Sequence, residues 1–142
     1  MPSPIPFAAL RLDHVVLRVA RLESSIDFYG SVLGCEVEHR RDDLGLVHLR
    51  VGSSMIDLIS LDGRLGAKGG AGPGAQARNV DHVCLRIEPF DLAAIERHLA
   101  DHGVAVLETV QDNFGAEGSG PSLYLSDPDG NIIELKGPAT AA

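Results

Sequence analysis

Two segments of this chain repeat one another, which limits the folds open to it. Residues 12–19 read LDHVVLRV and residues 80–87 read VDHVCLRI, so Asp, His, Val, Leu and Arg recur at matching places. Both segments are rich in branched apolar residues and alternate in character, which indicates two equivalent β-strands. In a chain of 142 residues, two copies of one module fill a single compact domain and leave little else.

A helical pattern follows each copy of the repeated strand. The apolar residues on one helical face are Ile26, Tyr29 and Leu33 in the first copy and Leu92, Ile95 and Leu99 in the second. Gly34 and Gly103 come next, where a left-handed residue is expected to end each helix. Strand-like runs follow at about 35–40, 46–51 and 55–61, and again at about 104–110, 122–126 and 131–136. Each half is therefore predicted to be a β-α-β-β-β module, which gives an α+β fold.

The two modules are predicted at about 10–62 and 79–138, with a linker at 63–78. The linker is rich in glycine and alanine, so it is expected to be mobile. Small residues offer little binding chemistry, and this favours a plain connector over a lid on an active site.

Composition excludes several classes of function. The net charge is -8 and no basic patch is evident, which argues against a nucleic-acid partner and against an acidic membrane surface. No apolar run approaches membrane-spanning length, and the first ten residues are too short for a signal peptide. Cys35 and Cys84 form no C-x-x-C pair, and unpaired thiols are typical of a reducing cytoplasm. A cytoplasmic protein that binds a small molecule is therefore expected.

Alternation along the strands indicates which side chains share a face. The polar residues on the face opposite the helices are His14, Arg18, Asp57, His82, Arg86 and Glu134. Such a set is costly to bury without partners, and a metal ion would satisfy it. A histidine and an acid at matching places in both halves favour a metal site over a solvated face.

The motifs DHVVLRV with SIDFYGSVLG, then DHVCLRI, then SLYLSDPDGNIIELKG resemble the vicinal-oxygen-chelate superfamily, which includes glyoxalase I, bleomycin resistance proteins and extradiol dioxygenases. The resemblance runs from about Leu12 to Gly137. It implies paired modules that form a cupped mixed sheet. It also implies metal ligation by His14, His82 and Glu134. Asp57 stands where glyoxalase I enzymes place a glutamate ligand.

The same resemblance implies a cofactor, a partner and a reaction. The cofactor is a divalent ion, one of Ni, Co, Zn, Mn or Fe, and the expected assembly is a homodimer. The site lies within one chain in some members and between two chains in others, and both arrangements stay open here. The first-choice reaction is that of a glyoxalase-like lyase or isomerase. Glu134 is then the base, Asp57 assists it, and the substrate is an adduct of a 2-oxoaldehyde with a thiol.

Other residues bear on the substrate. Arg18 and Arg78 match carboxylate-binding arginines of bacterial glyoxalases, and the fixed fork of guanidinium donors suits that role. Leu61 stands where those enzymes have an asparagine, which counts against glutathione. Tyr124 instead matches the tyrosine of extradiol ring-cleaving dioxygenases, although their acid–base histidine is absent from 115–117. A non-enzymatic binding protein of the bleomycin-resistance type is the third alternative. We leave His48 out of the predicted metal shell, because a lone strand histidine is more often structural.

Overall fold

The computed structural model describes residues 5–140 and contains two four-stranded mixed sheets. The first module contributes β1 (His14–Val19), β2 (Glu36–Arg41), β3 (Leu46–Val51) and β4 (Ser54–Ser60), and the second contributes β5 (His82–Arg86), β6 (Glu108–Gly115), β7 (Gly118–Ser126) and β8 (Ile132–Lys136). The strand orders are β1-β4-β3-β2 and β5-β8-β7-β6, and the first strand of each module runs parallel to the last. The predicted α+β fold of duplicated modules is confirmed.

One helix follows the first strand of each module. Helix α1 spans Leu22–Asp27 and continues as a π-helical stretch, Phe28–Val32, whereas α2 is a regular helix over Leu92–Asp101. Both predicted helix ends are confirmed, because Gly34 and Gly103 have φ angles of 75° and 69°. Glycine adopts this left-handed conformation without the steric cost that a Cβ would bring.

The core lies where the helices cover one face of each sheet. Alternation is clear on β1, where Leu17 and Val19 are buried while His14 is exposed. The fully buried side chains that fill this core include Val19, Tyr29, Leu49, Ile56, Leu58, Leu99, Leu123, Leu125 and Ile133. The opposite faces of the sheets are therefore free to carry polar side chains such as His14. Within residues 5–140, no helix has the length and apolar character needed to cross a membrane.

The DPDGN turn between β7 and β8 connects the two modules. Tyr29 in the first module donates a hydrogen bond of 2.7 Å to Asp127, and the backbone N–H of Ala20 donates one of 2.8 Å to Asp129. Asp127 also accepts a bond of 2.8 Å from the backbone of Asn131. The turn therefore anchors the helical segment of the other module.

The hairpin of β6 and β7 differs from the prediction. Strands were expected at about 104–110 and 122–126, but the paired segments are Glu108–Gly115 and Gly118–Ser126. The backbone of Val104 instead bonds to Leu99 at the end of α2. The prediction was wrong because most of the added strand residues are polar or glycine, and cross-strand pairing rather than apolar alternation holds them in the sheet.

The linker lies against the first module instead of standing clear of it. It contains a short 3-10 turn, Gly66–Gly69, and contacts β4. The guanidinium of Arg18 donates two hydrogen bonds to the carbonyl of Gly66, at 3.1 and 2.9 Å, and another to the carbonyl of Gly70. These bonds give the linker a defined path that its glycine-rich composition did not predict.

Candidate metal centre

The second module places a histidine against a carboxylate. Because β5 and β8 are parallel neighbours, Nε2 of His82 lies 3.1 Å from Oε1 of Glu134. The other ring nitrogen, Nδ1, lies 2.7 Å from Asp81. A carboxylate only accepts, so Nδ1–H donates to Asp81, and Nε2 faces Glu134. Two acceptors this close require a proton or a cation between them.

Glu134 lies in a network of neutral donors. It is 5% exposed, and Nδ2 of Asn113 donates to its Oε2 at 3.1 Å. The same amide reaches Oγ of Ser122 at 2.7 Å and Oη of Tyr124 at 3.0 Å. Burial raises the pKa of Glu134, but hydrogen bonds from Asn113, Ser122 and Tyr124 and the charge of His82 outweigh it, so the pKa is lowered. Glu134 is therefore ionised at neutral pH.

The first module repeats the pair in a looser form. Nε2 of His14 lies 3.8 Å from Oδ2 of Asp57, while Nδ1 pairs with Asp13 at 2.8 Å. The hydrogen bond to Asp13 and then the charge of Asp57 raise the pKa of His14. Oδ1 of Asp57 also lies 2.8 Å from Nδ1 of His48. One buried carboxylate in this module therefore faces two imidazoles.

The contacts of His48 with Asp57 and of Asn113 with Glu134 were not predicted from the sequence. In the strand registers His48 is paired with Asp57, and Tyr124 is paired with Glu134. His48 thus occupies in the first module the place that Tyr124 occupies in the second. The turns before the acids differ in length, so the two residues stand at different distances from them in the sequence. Only the register shows that they are equivalent.

The predicted ligands form two separate pairs and not one cluster. His14 and His82 both line a cavity of about 650 Å³, together with Met55 and Arg86. Across residues 5–140, however, no group of three or more His, Cys, Asp or Glu side chains is placed to hold a metal ion. A single chain therefore offers two half-sites, each with one imidazole nitrogen and one carboxylate.

The donor chemistry of each half-site fits a divalent ion. Two ligand atoms about 2.1 Å from one cation lie roughly 3 Å apart when they stand at right angles. The 3.1 Å separation of His82 and Glu134 matches that value, and His14 with Asp57 is wider at 3.8 Å. Asp81 and Asp13 hold the imidazoles by their outer nitrogens, as carboxylates commonly do for metal-binding histidines.

The two arginines predicted to bind substrate have contacts within their own chain. Arg18 bonds to the linker carbonyls described above. Arg78 donates at 2.9 Å to the side chain of Asn131 and at 2.6 Å to the carbonyl of Asp129. Arg78 thus supports the DPDGN turn. Arg86, at the repeat position of Arg18, lines the cavity beside His82 instead.

The sequence is similar to one protein family and to several known proteins. A family model described as the Glyoxalase/Bleomycin resistance protein/Dioxygenase superfamily matches residues 11–135. The glyoxalase domain-containing protein RDO1 of Mycosarcoma maydis is 34% identical over 125 residues, which cover 87% of this chain and 66% of that protein. The chain thus spans just under two thirds of that relative's length. Human mitochondrial methylmalonyl-CoA epimerase is 25% identical over 132 residues, which cover 89% of this chain and 73% of that one.

A solved structure agrees with the fold. An integron cassette protein from V. cholerae superposes with a TM-score of 0.73 and 30% identity, and covers 94% of this chain and 98% of its own. The similarity extends through both modules, since the matched share leaves out only a few residues. The strand frame that carries the two half-sites is therefore common to both proteins.

Proposed function

Because the chain belongs to the Glyoxalase/Bleomycin resistance protein/Dioxygenase superfamily, we propose that it is a divalent-metal-dependent lyase or isomerase. Its substrate would be a small molecule with two adjacent oxygens that bind the ion. The observation that carries this proposal is the Glu134 carboxylate. It is buried, ionised and held by Asn113, and it lies beside His82 on the wall of a cavity.

In this proposal His14, Asp57, His82 and Glu134 hold the ion. When bound, a divalent ion would polarise the substrate oxygens and stabilise negative charge on them. Glu134 takes a proton from the carbon next to the substrate carbonyl and returns it to the neighbouring carbon. Asn113 keeps the carboxylate oriented, and the Tyr124 ring packs edge-on against His82 with centroids 5.5 Å apart.

We further propose that the complete site forms between two chains of a homodimer. In one chain the His14–Asp57 pair and the His82–Glu134 pair belong to different sheets and form no joint cluster within residues 5–140. In a symmetric dimer, His14 and Asp57 of one protomer would meet His82 of the partner subunit and Glu134 of the partner subunit. Two such sites would arise, because a two-fold axis repeats every contact.

The arginine contacts bear on the substrate class. Arg18 and Arg78 are engaged with carbonyl groups and an amide of their own chain. These bonds would have to break before either arginine could bind the carboxylates of glutathione. The proposed substrate is therefore smaller than a glutathione adduct, and adducts of 2-oxoaldehydes with small thiols are the first to assay.

Mixing two defective variants tests the shared site. His14→Ala and His82→Ala each remove one half-site, and each homodimer should lose its metal. Co-expressed chains form heterodimers in which one site has both mutations and the other has none. Roughly a quarter of the native metal content should return in a dimer mixture of this kind. Elemental analysis of the purified mixture measures it, and a mixture that stays metal-free would show that the site is not shared.

Turnover assays on the metal-loaded protein test the reaction. Thiol-dependent loss of a 2-oxoaldehyde without uptake of oxygen is the expected result. Uptake of oxygen with a catechol would replace this proposal with the dioxygenase, for which Tyr124 was considered. Tight binding of a ligand with no turnover of any substrate would replace it with a binding protein.

A further inference from the structure

A second charged side chain lies on the same face of β8 as Glu134. Lys136 is 7% exposed, and its Nζ has no hydrogen-bond partner among residues 5–140. A buried ammonium without a partner is destabilising, because the desolvation of its charge is not compensated. An anionic ligand that binds the ammonium would compensate this cost.

The other module shows that the fold does not need a lysine here. Ile59 occupies the equivalent place on β4, two residues after Asp57, and it pairs with Leu46 on β3. In the second module the same pair is Lys136 and Ser122. The same strand pairing forms with an apolar pair in the first module, so the fold does not require a charge at this position. The charge of Lys136 is therefore a property of the second module alone.

Lys136 contributes to a cavity of about 310 Å³ that also touches the candidate metal centre. His82, Glu134, Arg86, Phe114 and Lys136 are among its lining residues. The stem of the lysine passes over Gly115, where an added Cβ would lie 2.6 Å from its Cε. A larger residue at 115 would displace this stem, so the hairpin is shaped to admit the lysine.

The other charges in this cavity are already paired. Arg86 contacts Glu117 at 2.9 Å and Glu88 at 3.2 Å. Glu134 faces His82, and in the proposed function its charge is committed to a divalent ion. Lys136 then remains as one positive charge without a counter-ion in the described part of the cavity.

We propose that Lys136 binds the carboxylate of the substrate, and that the substrate is therefore a small organic acid. The inference rests on the proposed function, because the substrate's two oxygens bind at the neighbouring metal. One ammonium matches the single charge of a carboxylate, whereas the nearby Glu117 and Glu88 disfavour a dianion such as phosphate. The cavity, of about 310 Å³, is large enough for a short acid.

Two hydroxamates test this assignment directly. N-hydroxysuccinamate carries a pair of chelating oxygens and a carboxylate tail, and its methyl ester is the uncharged match. The zinc-loaded protein should bind the acid about tenfold more tightly than the ester, because a hydrogen bond to a charged group is lost in the ester. Calorimetry on Lys136→Met should give nearly equal affinities. Lys68→Met, at an exposed linker lysine, should keep the preference.

The chain has two lysines, Lys68 and Lys136, which allows a second readout that needs no metal. Lysine labelled with carbon-13 gives two Cε signals, and the Lys136→Met variant assigns them. Added propionate should shift the Lys136 signal and leave that of Lys68 in place. This shift with no hydroxamate binding would support the acid subsite and overturn the metal centre. An unmoved Lys136 signal, or a preference for the acid that survives in Lys136→Met, would overturn the subsite.

Discussion

The two modules share one strand frame but surround their acids differently. Each places a histidine on its first strand and a buried carboxylate on its last, in equivalent register. Around Asp57 the neighbours are the imidazoles of His14 and His48. Around Glu134 the neighbours are His82 and the amide of Asn113.

This difference suggests a division of roles between the modules. In the first module the carboxylate of Asp57 lies between the proposed ligand His14 and the imidazole of His48, an arrangement that suits metal binding better than proton transfer. The second module holds its carboxylate through a neutral amide, with a lysine and a tyrosine close to it. We therefore propose that the second module carries out proton transfer and that both modules hold the metal.

The largest expected effect comes from comparing substitutions of the two acids, Glu134 and Asp57. Glu134→Gln should lower kcat by roughly 10²- to 10⁴-fold, the usual contribution of a general base. Asp57→Asn should cost about tenfold, because it removes an assisting carboxylate and leaves the base in place. Steady-state rates with the proposed lyase substrate, normalised to metal content, measure both. Equal losses in the two variants would show that the modules share the base.

A second test compares the two residues at the equivalent register position. His48→Ala should weaken metal binding by roughly 10- to 100-fold, as is typical when a partner of a ligand is removed. Tyr124→Phe should weaken metal binding less, because Asn113 and Ser122 still hold Glu134 when the Tyr124 hydroxyl is removed. Competition with a chelating dye gives both affinities. A larger effect at Tyr124 would reverse the roles assigned to these positions.

The repeat alone predicted most of this frame. The motif HVVLRV with its copy HVCLRI determined the first strands, and alternation placed His14 and His82 on the polar face. The sequence did not predict the His48–Asp57 contact, because that contact depends on β3–β4 register and not on spacing. The Arg18 bonds to the linker were missed for a similar reason, since they join residues far apart in the chain through backbone carbonyls. Contacts of this kind depend on tertiary packing, which periodicity does not describe.

A smaller effect is expected on the free energy of unfolding. It is tested with the two tyrosines, Tyr29 in the first module and Tyr124 in the second. The Tyr29 hydroxyl is fully buried and donates to the buried Asp127 across the module boundary. Tyr29→Phe should lower the free energy of unfolding by about 2 kcal/mol, since it removes a hydrogen bond to a charged acceptor. Tyr124→Phe should lower it by less, because Tyr124 is only partly buried and Asn113 still donates to Glu134 in the variant. Urea unfolding at neutral pH measures both free energies of unfolding. Equal losses in the two variants would mean that the DPDGN turn does not hold the modules together.

The Tyr29–Asp127 hydrogen bond also predicts how the stability of the fold changes at alkaline pH. Burial, and then the charge of Asp127, raise the pKa of Tyr29, and burial raises that of the Cys35 thiol from 9.0 to about 11. Both groups hold their protons more tightly in the folded chain. Their stabilisation is therefore complete below the unfolded pKa values, near 9.0 for the thiol and about 10 for tyrosine, and it declines as pH rises beyond them. In Tyr29→Phe the contribution of Tyr29 is lost while those of Cys35, Cys84 and Tyr124 remain, so unfolding midpoints should fall less steeply above pH 10 than in the native protein. A parallel fall in both proteins would show that Tyr29 ionises as readily folded as unfolded, contrary to its burial.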